Sequence, residues 1–253
     1  HPSESVKGEI EFEHVSFAYP EAGENVLTDI SFKAKKGQTI AVIGSTGSGK
    51  STLINLIPRY YDVTKGSVKV DGVDVRDMTQ KELRDKLGYV PQKGVLFSGT
   101  IDSNIRYGKP EITDAQVKEA AEVAQATEFI DTKPEKYESP VSQGGTNVSG
   151  GQKQRLSIAR AIAKDPEIFI FDDSFSALDF KTDSQLRKAL KEYTKDATTV
   201  IVAQRISTIL GADQIIVLDD GHMAGIGTHK ELMANCEVYQ QIARSQLSEE
   251  ELA

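Results

Sequence analysis

The sequence predicts an α/β fold, a parallel sheet flanked by helices around a phosphate-binding loop, with a small antiparallel β layer ahead of it. Three observations predict it. An apolar run at 39–43 leads into Gly44-Ser45-Thr46-Gly47-Ser48-Gly49-Lys50-Ser51, and helix-compatible residues 51–57 leave it. A second apolar run, 168–171, stops at Asp172-Asp173 and reads as a strand buried on both faces. Around these, strand-like and helix-like patterns alternate, as they do when helices cover both faces of a parallel sheet.

The elements follow in order. Residues 1–7 read as a linker. From Glu9 to Tyr19 polar and apolar residues alternate, the mark of a half-buried strand. Residues 20–23 turn the chain, 26–27 and 30–32 form two short strands, and 35–38 turn into the strand before the loop. Val68-Lys69-Val70 followed by Asp71-Gly72 signals a hairpin. A short helix is expected over 81–87 and a short strand over 88–92, interrupted by Pro91. Thr113 caps a helix reaching Ala124, residues 139–146 form a loop, and Ser149 opens a helix to Ala163. Helix 179–193, strands 198–202 and 214–218, and a helix from Thr228 complete the chain, with a frayed tail at 248–251.

Composition narrows the function. With 253 residues, 38% hydrophobic and 27% charged, the chain can bury a substantial core. A net charge of −8 argues against a nucleic-acid partner, because phosphate backbones attract basic surfaces. The single cysteine, Cys236, excludes an internal disulfide and a thiolate metal cluster and fits a reducing compartment. No apolar run approaches the ~18 residues that suggest a membrane span.

The loop fits G-x-x-x-x-G-K-[ST] at every fixed position, in the strand–loop–helix context that gives the pattern meaning. Its glycines let the backbone turn N–H groups inward around a polyphosphate. Lys50 is expected at the β- and γ-phosphates, and the Ser51 hydroxyl on Mg²⁺. A second acid is needed for the metal, and Asp172, at the end of a buried strand, is the natural candidate.

Val148-Ser149-Gly150-Gly151-Gln152, between the loop and the Asp172 strand, resembles the signature segment of the ATP-binding-cassette (ABC) superfamily. The resemblance runs from about Gly8 to Gln246 and implies the ABC ATPase fold. That fold has a P-loop NTPase core (about 8–92 and 164–253) and an inserted helical subdomain (about 93–163), and residues 1–7 would link to a membrane domain. It implies ATP and Mg²⁺ as cofactors. Tyr19 would stack on adenine, while Gly44, Ser45, Thr46, Gly47, Ser48, Gly49, Lys50, Ser51 and Thr52 hold phosphates. Ser51, Gln92 and Asp172 would serve the metal. Ser149, Gly150, Gly151 and Gln152 would close over ATP held by a second domain. Ser176-Ala177-Leu178-Asp179 resembles the loop that crosses to that domain. Residues 99–105 resemble the docking segment for transmembrane coupling helices in exporters, and 141–145 sit where those exporters carry a cross-talk loop. The implied location is the cytoplasmic face of the cell membrane.

Departures from the family pattern carry as much information. The family places a glutamate, the general base, where this chain has Asp173, and a switch histidine where it has Gln204. An aspartate is one methylene short, and a misplacement of ~1 Å can cost around a hundredfold in rate. Glutamine donates a hydrogen bond but cannot become a cation. Ser142-Gln143-Gly144-Gly145 also lacks the charges of the usual cross-talk loop. The expectation is a heterodimeric exporter subunit with an unlike ATP-binding partner, whose own pocket (Asp173, Gln204, Gln92) hydrolyses poorly while its signature completes the partner's site. Alternatives are a homodimeric exporter ATPase with slow hydrolysis, a soluble ABC-type ATPase of DNA repair or translation, and a regulatory ATP-binding module.

Overall fold

The computed structural model describes residues 6–107 and 109–247, so the first five linker residues and the expected tail lie outside the described residues. The chain forms two compact units. One comprises the chain up to Leu87 together with that from Asp196 onward, and the other is Gly88–Lys195.

The first unit opens with β1 (Ile10–Phe17), β2 (Leu27–Ala34), β3 (Thr39–Gly44), α1 (Lys50–Asn55), β4 (Lys65–Val70), β5 (Val73–Asp74) and α2 (Gln80–Asp85). The expected antiparallel layer is a four-stranded sheet in the order β2-β1-β4-β5. Alternation in β1 sends Ile10 and Phe12 inward, and Phe12 stacks on its register partner Phe32 at 4.6 Å between centroids. Where two short strands were expected, β2 is continuous. The pairing with β1 is bulged, and Asp29 adopts φ 51 within it, so the period-two pattern breaks while the strand does not. Asp71 and Gly72, both left-handed, make the expected hairpin between β4 and β5. α2 begins at a Thr79–Glu82 capping box and ends earlier than expected.

The second unit takes over within β6 (Leu87–Val90) and continues through β7 (Gly99–Thr100), α3 (Ile101–Arg106), α4 (Asp114–Val123), α5 (Thr127–Asp131), β8 (Pro140–Val141), α6 (Gly150–Ala163), β9 (Ile168–Asp172) and α7 (Phe180–Tyr193). β9 pairs with β6, and its Ile168, Phe169, Ile170 and Phe171 are all buried, as an unbroken apolar run requires. α3 and α4 pack against α6. The expected loop at 139–146 in fact contributes β8, which pairs antiparallel with β7 (Gly99↔Val141). α3 and α5 were not expected, being too short to show a helical period.

The chain then returns to the first unit with β10 (Thr198–Val202), β11 (Gln214–Asp219), β12 (His222–Gly227), α8 (His229–Asn235) and α9 (Glu237–Gln246). β3 lies between β10 and β11, parallel to both, and β12 runs antiparallel along the edge. Ala41, Ile43, Ile215 and Val217 pack with Tyr239 and Ala243 of α9. The helix expected from Thr228 is two helices, divided at Cys236, which has an extended backbone. With β3 central, the 44–50 loop emerges at the carboxyl ends of parallel strands, where open α/β sheets bind ligands.

Candidate functional site

In the first unit the loop between β3 and α1 shows what each of its glycines does. A Cβ on Gly44 would lie 2.5 Å from both the Leu218 carbonyl oxygen and Ser48 Oγ. Gly49 has φ 102, and a Cβ there would meet Leu27 Cδ2 at 2.8 Å. Gly47, also left-handed, has open space where its side chain would stand, so the loop surface there is bare backbone. Lys50 Nζ donates to the Gly44 carbonyl at 2.5 Å and to that of Ser45 at 3.4 Å, which holds the ammonium over the loop. The backbone is braced from outside the motif, as Gly221 N–H donates to the Ser48 carbonyl at 3.0 Å. The Gly221 brace was not legible in the motif itself.

Tyr19 is tied to α1, the helix that leaves this loop. Its hydroxyl and that of Thr52 are 2.8 Å apart, and its ring lies edge-on to Phe17 (4.9 Å) and Tyr61 (5.1 Å). Tyr61 was missed in the sequence, since an aromatic contact across 42 positions leaves no local pattern. Gln204 follows β10 and is exposed. Its carbonyl accepts from Gln246 Nε2 at 2.8 Å, while Gln246 Oε1 accepts from Ile206 N–H at 2.8 Å, so α9 holds this loop by a single carboxamide.

In the second unit, Ser149 N-caps α6 by accepting from Gln152 N–H at 3.2 Å. A Cβ on Gly150 would meet nothing within 4 Å, and one on Gly151 only the Ala177 carbonyl at 4.0 Å. The first turn of α6 therefore presents open backbone, beside the 176–179 segment. Asp179 caps α7 and accepts from Thr182 N–H (2.8 Å) and Thr182 Oγ1 (2.9 Å). Those bonds, the backbone one foremost, hold its carboxyl below the usual range. Gln92 Nε2 donates to Asp173 Oδ2 at 3.2 Å, joining the two residues expected to act on water. Asp173 has φ 51, a left-handed conformation that aspartate tolerates better than most residues. Behind this pair lies Gln154, almost fully buried. It accepts from Gly94 N–H (2.7 Å) and donates to the carbonyls of Pro91 (3.0 Å) and Ser174 (2.9 Å). Neither Gln154 nor Ser174 was singled out in the sequence, because their partners are backbone atoms of distant loops.

Taken one unit at a time, these groups carry chemistry that suits parts of Mg·ATP. The 44–50 loop offers bare backbone at Gly47 and the Lys50 ammonium, suited to a polyphosphate. Ser51 in the first unit, and Asp172 and Gln92 in the second, each carry a hard oxygen donor of the kind Mg²⁺ takes. Among the described residues no group of three or more His, Cys, Asp or Glu could hold a metal ion.

Comparison with known proteins identifies the family. Residues 27–176 match the family described as ABC transporter. Over 248 residues the chain is 48% identical to an uncharacterized ABC transporter ATP-binding protein of Mycobacterium tuberculosis, covering 97% of this chain and 42% of that protein. A putative multidrug export ATP-binding/permease protein of Staphylococcus aureus is 46% identical over 241 residues, 95% of this chain and 42% of that protein. The chain thus spans less than half the length of these relatives. A solved bacterial Atm1-family ABC exporter with ATP bound superposes with a TM-score of 0.92 at 37% identity, over 98% of this chain and 44% of that one. Phosphate loop, signature segment and sheet are all consistent with these likenesses, and the chain belongs to the ABC transporter family.

Proposed function

We propose that the chain is the ATP-binding domain of one subunit of a heterodimeric ABC exporter, working at the cytoplasmic face of a membrane. It binds Mg·ATP through Lys50, Ser51 and Asp172 and hydrolyses it slowly. The observation that carries the proposal is an asymmetry among its own residues. Both anion cradles are intact, yet Asp173 and Gln204 occupy the base and switch positions. The shorter carboxylate of Asp173 is already engaged by Gln92. Such a chain holds nucleotide well and activates water poorly. Its Ser149–Gln152 cradle then serves the pocket of an unlike partner.

The exporter reading draws support from the Staphylococcus aureus relative and from the Atm1-family structure. Docking of a membrane domain's coupling helices at residues 99–105 draws support from the apolar rings beside them. There the exposed rings of Phe97 and Tyr107 stack at 4.6 Å, with the Arg160 guanidinium 5.3 and 5.0 Å from their centroids. The test is ATP turnover in the reconstituted pair. Ser149→Ala should lower it steeply and Asp173→Ala only slightly. If Asp173→Ala stops hydrolysis as completely as Ser149→Ala, Asp173 is a working base, and a homodimeric exporter with two equivalent sites becomes the better reading.

A further inference from the structure

The second unit contains a buried carboxamide that touches three functional segments at once. Gln154 lies on the second turn of α6 and is 1% exposed. Its side chain bonds to backbone atoms. Gly94 N–H donates to Oε1 at 2.7 Å, and Nε2 donates to the carbonyls of Pro91 at 3.0 Å and Ser174 at 2.9 Å. Pro91 and Gly94 flank Gln92, Ser174 follows Asp173, and α6 begins at Ser149. A second bond ties the same two loops, from Ser174 Oγ to the Val90 carbonyl at 2.6 Å. The packing admits no slack. A Cβ on Gly94 would lie 2.9 Å from Ser157 Cβ and 3.1 Å from Gln154 Oε1, so only glycine lets this loop approach α6 so closely.

We infer that Gln154 is a positioning residue that makes the Gln92 loop, the Asp173 loop and the first turns of α6 move as one body. The carboxamide holds the inner ends of the two loops together. At their outer ends this leaves Gln92 and Asp173 within 3.2 Å of each other. A buried carboxamide with donors and acceptor all used resists rotation, because any movement strands a polar group without water. Displacement of the Gln92 loop therefore carries both the carboxylates at the end of β9 and the α6 cradle with it. Gln154 touches no phosphate and no metal in this scheme. Its effect on nucleotide passes wholly through the residues it holds.

The inference rests on the reading that Gln92 and Asp172 serve magnesium, and the experiment separates the two. ATP affinity of the full chain is measured with Mg²⁺ and with EDTA, and the ratio gives the gain due to the metal. Gln154→Met keeps the volume and removes all three bonds. It should cut that gain by about tenfold while leaving metal-free affinity unchanged, since the stranded groups shift the loops rather than the phosphate loop. Gln154→Glu keeps the acceptor for Gly94 N–H but turns an oxygen, where a donor stood, toward the Pro91 and Ser174 carbonyls; it should lose the gain at least as far, and it gives a second reading if the methionine variant does not fold. Asp172→Asn is the control for the metal reading. If Asp172→Asn loses the gain but both Gln154 variants keep it, the positioning role is wrong and the magnesium reading stands. If Asp172→Asn keeps the gain, the magnesium reading fails and the inference falls with it. Proportional losses with and without Mg²⁺ in the Gln154 variants would show a merely structural glutamine and also overturn the inference.

Discussion

Two glycine-rich segments in this chain, both proposed here to face anions, are built in opposite ways. In the 44–50 loop two of the three glycines are compelled by their surroundings. Gly44 has a carbonyl oxygen and a hydroxyl where its Cβ would stand, and Gly49 is left-handed against Leu27. Lys50 lies across the loop and Gly221 braces it from β11's end. At the start of α6, by contrast, Gly150 and Gly151 are helical and uncrowded, and Ser149 is spent on capping. No fold-level reason there excludes a side chain. The first cradle is preorganised by the fold and carries its own cation. The second is an open helix end, and in the proposed function a partner brings the anion to it. Glycines compelled by packing speak of stability and binding together. Glycines with empty space above them speak of an approach from outside.

The contrast is tested most directly at Lys50. Lys50→Ala removes the cation that sets the first cradle apart and leaves backbone donors alone, as in the second. Losing one partner of a close charge pair costs ~2–5 kcal/mol. ATP affinity of the chain should fall by on the order of a hundredfold, read by titration calorimetry. Unchanged affinity would mean that backbone donors suffice, and the distinction between the two cradles would lose its main support.

How much of this was legible in the sequence depends on where the physical cause lies. The 44–51 loop and the 148–152 segment were readable because their chemistry sits in consecutive residues. β3 and β9 were readable because strands buried on both faces are unbroken apolar runs. β12 was not, since an edge strand reading His-Met-Ala-Gly-Ile-Gly has little apolar pattern to show. Gln154 and Gln246 were invisible for a different reason. Each bonds to backbone atoms of loops far away in the chain, and any residue type supplies those atoms. The departures at Asp173 and Gln204 were legible only against a family pattern.

Gly44→Ala tests the claim that the first cradle's glycines belong to the fold. The new methyl would sit 2.5 Å from the Leu218 carbonyl oxygen, a backbone atom that cannot swing away. Overpacking of this kind costs about 1–3 kcal/mol. The thermal midpoint should drop by several degrees, at roughly 2–4 °C per kcal/mol for a domain of this size. ATP affinity should fall with it, because Gly44 also positions the carbonyl that Lys50 holds.

Gly151→Ala is the counterpart, with the smallest expected effect on the isolated chain. Beyond α6's own backbone, the one atom among the described residues within 4 Å of the new methyl is the Ala177 carbonyl oxygen, at 4.0 Å, an ordinary contact. Alanine favours a helix over glycine by up to about 1 kcal/mol in an interior position, and less in a first turn. The midpoint should therefore stay unchanged or rise slightly, and ATP affinity of the chain alone should not move, since that nucleotide is held by the other cradle. The methyl would nevertheless occupy the open face of α6, where the proposed partner's phosphate must approach. ATP-dependent association with the partner should weaken even though folding and self-contained binding are untouched, a separation that Gly44→Ala cannot produce. Sedimentation of the pair with and without ATP, beside a melting curve of the chain alone, measures both sides of it. A fall in midpoint comparable to that of Gly44→Ala would show that α6 begins under the same packing constraint as the phosphate loop. Unimpaired association at an unchanged midpoint would show that nothing approaches this helix end closely, and the second cradle would then be a helix cap and no more.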